Sequence, residues 1–346
     1  MSKYCSGCIK PLDGETLSSW LSHGSSANHD ARLASAYYIH QNSRLAEKDF
    51  DVEASLMAEL SNALQVDDQV LRTVVRPPSC WLIDNPKARL YFCARCLREV
   101  YLSTGKIVVL KNWSNCWYTI CGRHHCALTE IEQRVDPDVA KEEALLIGIA
   151  EGERLEHQYT DGRSGLFRGQ LSFLYGALIF QQWCGSCLSS NSSVPAGIPP
   201  VGAVELRRLL TDVLMIIMRR RFWERDIKTY LSSLLQRRSW NSLNRSYYGS
   251  TFDEIMAPEF CSHSLRARIV AFALMALILD LPGGARVWKR LPDPLKIDDY
   301  SLPDWNAKEV VWSRILASEV FDFRSWLKAR SLAWHPLLVE KYSYLI

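Results

Sequence analysis

The N-terminal part of the chain repeats apolar and polar positions with the period of an amphipathic helix. Leu17, Trp20 and Leu21 recur at i, i+3 and i+4, which predicts one apolar stripe along a short helix. Asp13 precedes the stripe as a candidate helix cap, and Gly24 follows it as a breaker. Such a stripe has two interpretations, because it can belong to the core or form a surface that binds a partner.

A second helical pattern covers residues 53–75. Leucines recur every four residues from Leu56 to Leu64, and Asp67 and Asp68 then interrupt the pattern where a second helix can begin. The order of helix, short turn and helix is that of a DNA-binding helix-turn-helix element, but an ordinary helical hairpin has the same order. The pattern alone leaves both interpretations open.

The rest of the chain predicts more helix, interrupted by one cysteine-rich segment and one linker. Apolar residues with helical spacing fill 204–218, and a helix over 266–281 should end at Pro282. Residues 188–203 are rich in Ser, Pro and Gly, which is typical of a linker. We therefore predict a mainly α protein in which a zinc ribbon or finger is embedded between an N-terminal helical, helix-turn-helix-like region and a second helical domain. The predicted segments are an N-terminal helical region 1–78, a zinc-binding module 79–130, a helical connector 131–187, the linker 188–203 and a C-terminal helical domain 204–346.

Composition and charge narrow the classes of function. With 48% hydrophobic and 23% charged residues, the chain can bury a core, which excludes a wholly disordered protein. The net charge is only +3, so an interaction with nucleic acid must depend on a local basic patch. Residues 205–245 hold ten Lys or Arg against four Asp or Glu, and there the candidate contacts are Arg219, Arg220, Arg221, Arg237 and Arg238. The alternative is the polar face of a helix whose arginine stems cover a core.

Nothing in the hydropathy of the chain predicts a membrane protein. The longest apolar run, residues 269–279, has 11 residues, whereas a membrane-spanning helix needs about 20. No apolar segment follows the N-terminal Met1 as it would in a secretory signal, so we expect a cytoplasmic protein. Eleven cysteines, several of them in C-x-x-C pairs, indicate metal ligation rather than disulfides in a reducing compartment.

One group of cysteines and a histidine has the spacing of a zinc site. Cys93 and Cys96 form one pair, and Cys121 and His124 follow with 24 residues between the two pairs. Two such knuckles can place four ligands at the corners of a tetrahedron around Zn²⁺, and four protein ligands leave no position for a reactive water. We therefore predict a structural zinc rather than a catalytic one.

Other cysteines and histidines leave alternatives open. His125 and Cys126 adjoin the second knuckle and could replace its ligands, although the i, i+3 spacing favours Cys121 and His124. A possible second site would combine two further C-x-x-C pairs, Cys5 with Cys8 and Cys184 with Cys187. Buried free thiols are the alternative for those four residues.

Enzyme signatures are missing from the sequence. It contains no Walker A loop, no G-x-G-x-x-G turn, no H-E-x-x-H pair and no H-x-E signature of a zinc deaminase with a downstream P-C-x-x-C. We therefore expect a protein without catalytic residues.

Two parts of the sequence resemble the TniQ family. Residues 11–21 read PLDGETLSSWL, which is similar to the family's start, P-x-x-G-E-[ST]-L-x-S-[WF]-L. Residues 92–97 (FCARCL), Trp113 and residues 121–128 (CGRHHCAL) are similar to its [YF]-C-P-x-C-L, Trp and C-P-x-H-x-x-x-L elements, in the same order. The resemblance covers roughly residues 9–130, and Ala94 and Gly122 stand where the family usually has proline.

The resemblance implies a function in DNA transposition. TniQ proteins are non-enzymatic adaptors that select the target site of multi-component transposons, including CRISPR-associated ones. They link target DNA or a guide-RNA effector complex, Cascade-like in such transposons, to an AAA+ ATPase of the TnsC kind. The resemblance also implies a homodimer. The alternative is a stand-alone, sequence-specific DNA-binding protein or transcriptional regulator that reads DNA through residues 53–75.

Overall fold

The computed structural model describes most of the N-terminal half and several helices of the C-terminal half. The described residues are 10–23, 31–42, 49–50, 52–77, 90–115, 117–131, 146, 150, 165–188, 201–218, 265–290, 308 and 320–346. They are mainly helical with little strand, which confirms the predicted fold class at that level. Most of the predicted linker, residues 189–200, lies outside the described part, and the five predicted segments stay predictions.

The helices and strands follow one another as a helical N-terminal part, a short two-stranded sheet and a second helical part. The described helices are α1 Leu17–Ser22, α2 Ala31–Asn42, α3 Ala54–Leu64, α4 Asp68–Val75, α5 Ala94–Thr104, α6 Gly165–Leu188, α7 Ala203–Met218, α8 Leu265–Ile278, α9 Gly284–Arg290, α10 Val320–Ser331 and α11 Pro336–Lys341. The strands are β1 Leu90–Phe92 and β2 Thr129–Ile131, and short 3₁₀ turns cover Lys111–Ser114 and Ser343–Leu345.

Packing divides the chain into two compact units. The first comprises Met1–Tyr118 and Leu128–Thr160, and the second comprises Thr119–Ala127 and Asp161–Ile346. In the first unit, β1 pairs antiparallel with β2, with Leu90 opposite Ile131.

Helices α1 to α4 of the first unit bury one apolar cluster. The leucines of the α3 repeat lie in it, as the four-residue period predicted. Trp20 and Leu21 are fully buried in the same cluster. The interpretation of these two side chains as a partner-binding surface is therefore wrong, and they belong to the core. The cluster consists of Leu17, Trp20, Leu21, Leu33, Ala36, Leu56, Met57, Leu60, Leu64, Val66, Leu71, Val74 and Val75.

At the N-terminal ends of α1 and α4, the structure shows one predicted helix cap that is correct and one that is not. Asp67 caps α4, where its carboxylate accepts a hydrogen bond of 2.8 Å from the amide of Gln69. The predicted cap of α1 is wrong, because Thr16 holds that position and its hydroxyl accepts from the amide of Ser19. Asp13 lies three residues earlier, in the turn that precedes the helix.

In the second unit, α8 is the central helix, and its residues from Ile269 onward are buried. Glycines allow its neighbours to approach it closely. A Cβ atom at Gly176 of α6 would lie 3.0 Å from the Cβ of Ala273, and one at Gly284 would meet the carbonyl oxygen of Ala276. Helix α8 ends at Ile278, one turn before the predicted end, because Asp280 already has left-handed backbone geometry.

No helix in the described part of the chain is both long enough and apolar enough to cross a bilayer.

Candidate metal centre

The first knuckle joins strand β1 to helix α5. Cys93 follows the strand directly and occupies the N-cap position of α5, and its carbonyl accepts a hydrogen bond of 3.0 Å from the amide of Leu97. Cys96 therefore lies in the first helical turn. Since residues three apart on a helix share a face, both thiols are held on the same side of this turn. Both cysteines are buried.

The second knuckle is a tight turn between two bridged backbone positions. Ile120 and Ala127 form an isolated antiparallel bridge, and the amide of Cys121 donates to the carbonyl of Cys126 over 2.9 Å. Inside the turn, the amide of His125 donates to the carbonyl of Cys121, and His125 takes the left-handed conformation with φ of 51°. This backbone reversal leaves the Cys121 and His124 side chains adjacent.

A glutamine from α6 fixes the backbone at the start of this knuckle. The Gln181 Oε1 atom accepts hydrogen bonds from the amides of Thr119, at 2.8 Å, and Ile120, at 3.1 Å. Its Nε2 atom donates to the carbonyl of Ile120 over 2.7 Å. One buried side chain thus satisfies three backbone groups that water does not reach.

The four predicted ligands come together in one cluster. One ligand atom from each of Cys93, Cys96, Cys121 and His124 lies within 4.8 Å of the others. The Cys121 Sγ and His124 Nδ1 atoms are 3.6 Å apart. Zinc–ligand bonds of about 2.0–2.3 Å imply tetrahedron edges of about 3.3–3.8 Å, so this pair has the separation that a bound ion requires.

The composition of this cluster bears on the choice between His124 and its neighbours His125 and Cys126. Within the described residues it is the only group of three or more Cys, His, Asp or Glu side chains with ligand atoms this close, and it contains neither His125 nor Cys126. His125 is exposed, and Cys126 is buried outside the group. Three thiols and one imidazole could hold a metal ion here, and four protein ligands would complete a tetrahedral shell.

The other predicted site residues are mostly outside the described part of the chain. This holds for Cys5 and Cys8, which were predicted as part of a possible second metal site, and for the basic residues Arg219, Arg220, Arg221, Arg237 and Arg238. Cys184 and Cys187 lie three residues apart on α6. Burial raises the pKa of the Cys187 thiol to about 12.

The first unit contains a buried polar network that the sequence pattern did not predict. Glu15 is buried, and its carboxylate accepts hydrogen bonds from the Ser19 hydroxyl, at 2.8 Å, and from the amide of Leu12, at 2.9 Å. The His23 Nε2 atom lies 3.3 Å from the same carboxylate. The Ser19 hydroxyl oxygen also accepts from the amide of Val109 over 2.9 Å.

This network explains part of the motif in residues 11–21. The glutamate and the second serine of GETLSSWL join α1 to the segment before the 3₁₀ turn, where Glu15 and Leu110 also form a backbone bridge. Two further contacts extend the connection, because the Lys111 ammonium donates to the carbonyls of Thr73 and Arg76 at the end of α4. The glutamate inside the motif was the signal that could have revealed the network.

The fold and the cluster together define a mainly helical protein with a Cys₃His group that could hold a metal ion and whose three cysteines are buried. Comparison of the chain with protein-family models, curated proteins and solved structures gives no match.

Proposed function

We propose that this protein is a non-enzymatic adaptor in target-site selection for DNA transposition, as the resemblance to the TniQ family implies. The observation that carries the proposal is the cluster of Cys93, Cys96, Cys121 and His124, since these are the residues that match the family's two knuckles. The buried position of Glu15 supports it, because Glu15 belongs to the matching motif in residues 11–21 and accepts hydrogen bonds inside the first unit.

The metal that we propose for the cluster is zinc. Thiolate and imidazole ligands in a tetrahedral set are those that Zn²⁺ binds in structural sites. The two knuckles are short and contain little hydrogen-bonded sheet, so a closed metal site would supply stability that their packing does not. Four protein ligands leave no coordination position for substrate or water, which supports a scaffold rather than a hydrolase.

The zinc proposal is tested by elemental analysis of the purified full-length chain. We expect bound zinc in the folded protein, its loss on treatment with a chelator, and a lower melting temperature after that loss. The Cys93→Ser variant should contain about one zinc fewer per chain than the wild type. Folded wild-type protein without bound metal would contradict the proposal.

As partners we propose an AAA+ ATPase of the TnsC kind on one side, and a Cascade-like guide-RNA effector complex or target DNA on the other, with the adaptor itself as a homodimer. Co-expression with the products of neighbouring genes tests this directly. We expect the ATPase or the effector to co-purify with the chain at moderate salt. A chain that binds neither, or that cleaves DNA by itself, would overturn the adaptor function.

A second candidate function is that of a sequence-specific DNA-binding protein or transcriptional regulator. The observation that favours it is the arrangement of α3 and α4, which are joined by a short turn with Gln65 in the left-handed conformation. Gln69 and Arg72 are exposed on the second helix. However, Asp67 and Asp68 give the N-terminal end of that helix a negative charge, which DNA phosphates would repel.

Selection of bound duplexes from a random pool by the isolated protein distinguishes the two functions. A regulator should enrich one sequence, and a Gln69→Ala/Arg72→Ala variant should lose this preference. An adaptor should enrich none. Enrichment without co-purification of an ATPase or effector would favour the regulator.

A further inference from the structure

Helix α10 of the second unit is fixed to α7 by a buried carboxylate. Asp212 of α7 is buried and accepts hydrogen bonds from the Arg330 guanidinium, at 3.0 Å, and from the Trp334 indole, at 2.8 Å. Arg208, one turn before Asp212, donates to the carbonyl of Ala333 over 3.2 Å. These contacts hold the end of α10 and the following turn in one orientation against α7.

The opposite side of α10 is exposed and basic. Arg324, Ser325, Lys328 and Ala329 are all exposed, and their i, i+1, i+4 and i+5 spacing places them on one helical face. We call these four residues the α10 face. Arg324 and Lys328 lie one helical turn apart, and Ser325 and Ala329 beside them have small side chains.

The charge of the α10 face comes from Arg324 and Lys328. Neither Arg324 nor Lys328 has an ion-pair partner among the described residues. In α10, Arg324, Lys328 and Arg330 stand against Asp322, and Arg330 is paired with Asp212, so the two exposed cations and Asp322 sum to a net charge of +1. The positive potential of this surface is therefore available to a partner.

We propose that the α10 face binds the phosphate backbone of a nucleic acid. Phosphates are attracted by two unpaired cations, and the small side chains of Ser325 and Ala329 leave room for a backbone to approach the helix. A protein partner would ordinarily require an apolar or aromatic centre between the charges, which the face lacks. The proposal goes beyond the adaptor function and does not require it.

The test measures binding of the full-length chain to a fluorescein-labelled DNA duplex of arbitrary sequence and to a labelled single-stranded RNA, by fluorescence anisotropy. Titrations between about 50 and 200 mM salt give the dependence of the affinity on ionic strength. The Arg324→Gln/Lys328→Gln variant should bind at least one of the two probes about tenfold more weakly at low salt. Its slope of log K against log salt should fall by about 2, which corresponds to two lost phosphate contacts.

A control variant with the same loss of charge elsewhere is Lys106→Gln/Arg286→Gln. It should retain the wild-type slope, because these residues lie outside the α10 face. Equal losses in the two variants, or unchanged binding of the first, would overturn the proposal. A labelled oligoglutamate peptide provides the other comparison. If it binds as tightly as the nucleic acids and loses affinity equally in the first variant, the face binds acidic protein segments instead.

Failure of this proposal leaves the proposed function unaffected, because the adaptor is tested by co-purification and metal content. Circular dichroism and metal analysis of both variants show whether they fold like the wild type. Since all four substituted residues lie on the surface or near it, we expect unchanged spectra and unchanged metal content.

Discussion

The side chain of Gln181 hydrogen-bonds both the amide and the carbonyl of Ile120. Because Ile120 directly precedes Cys121 of the four-residue cluster, this contact holds the backbone at the start of the second knuckle. The glutamine also accepts from the amide of Thr119. A residue 60 positions after Cys121 thus supports the backbone of the turn that contains Cys121.

We predict that Gln181→Leu destabilises the protein by roughly 2–4 kcal/mol, because three buried backbone groups lose their partner. Residues that hold metal ligands in place typically contribute about 10–100-fold to metal affinity, so zinc binding should weaken by that factor. Chemical denaturation and competition with a zinc-binding dye measure the two effects. Gln182→Leu is the matched control, because Gln182 is exposed on the same helix and should change neither quantity. Equal effects of the two substitutions would contradict the role of Gln181.

Adjacent residues in the second knuckle should differ sharply in their contribution to metal binding. We predict that His124→Asn weakens zinc affinity by about 10²–10³-fold, since one of four ligands is lost. His125→Asn should preserve the affinity, because His125 is exposed and asparagine tolerates its left-handed backbone. Zinc content after dialysis against a weak chelator measures the difference.

The cysteines of the same turn offer a second comparison. Cys121→Ser should lose zinc, whereas Cys126→Ser should retain it, because only the first belongs to the four-ligand cluster. Both side chains are buried, so a simple packing effect would act on both. Loss of zinc from the Cys126 variant alone would assign the ligand differently.

The buried carboxylate of Glu15 should be a major determinant of the stability of the first unit. We predict that Glu15→Ala costs roughly 2–4 kcal/mol, because the Ser19 hydroxyl and the amide of Leu12 lose their acceptor. Asp13→Ala, two residues earlier on the surface, should cost less than about 0.5 kcal/mol. Urea denaturation followed by circular dichroism measures both. If Asp13→Ala costs as much as Glu15→Ala, the buried network of Glu15 is not the cause of the loss.

The sequence predicted those features that depend on residues close together in the chain. The leucines of α3 and the Asp67 cap follow from helical period and local hydrogen bonding, and both are present. The ligand pairs follow the same logic, because each knuckle needs only an i, i+3 spacing. The closeness of the two pairs could be proposed because zinc coordination itself requires it.

No local pattern in the sequence indicated the contacts between residues that are far apart along the chain. Gln181 and Ile120 are 61 residues apart, and Asp212 and Arg330 are 118 apart. No periodicity relates such positions, because their pairing depends on how whole helices pack. The predicted Asp13 cap was wrong because a contact distant in sequence decides where α1 begins. Thr16 is equally able to cap a helix, and the backbone bridge between Glu15 and Leu110 directly precedes it.

Two tyrosines near the C-terminal end of the described chain should respond in opposite directions to removal of their hydroxyl groups. The Tyr342 hydroxyl is buried and has no hydrogen-bond partner among the described residues, whereas the Tyr344 hydroxyl donates to the carbonyl of Ile278 over 2.6 Å. We predict that Tyr342→Phe is neutral or stabilises by up to about 1 kcal/mol, and that Tyr344→Phe destabilises by about 1 kcal/mol. Thermal and urea denaturation of the two variants measure the difference.

The same pair predicts how stability changes at alkaline pH. Burial raises the pKa of Tyr342 from 10.0 to about 12 and also raises that of Tyr344. Between pH 10 and about 12, a tyrosine in the unfolded chain releases the proton that it retains in the folded chain. The free energy of unfolding should therefore fall as pH rises from about 10 towards 12, by up to about 1.4 kcal/mol per pH unit for each tyrosine. Below pH 10 the tyrosines should contribute no pH dependence. Tyr342→Phe should reduce the alkaline loss, and an unchanged profile would show that this hydroxyl titrates as an exposed phenol.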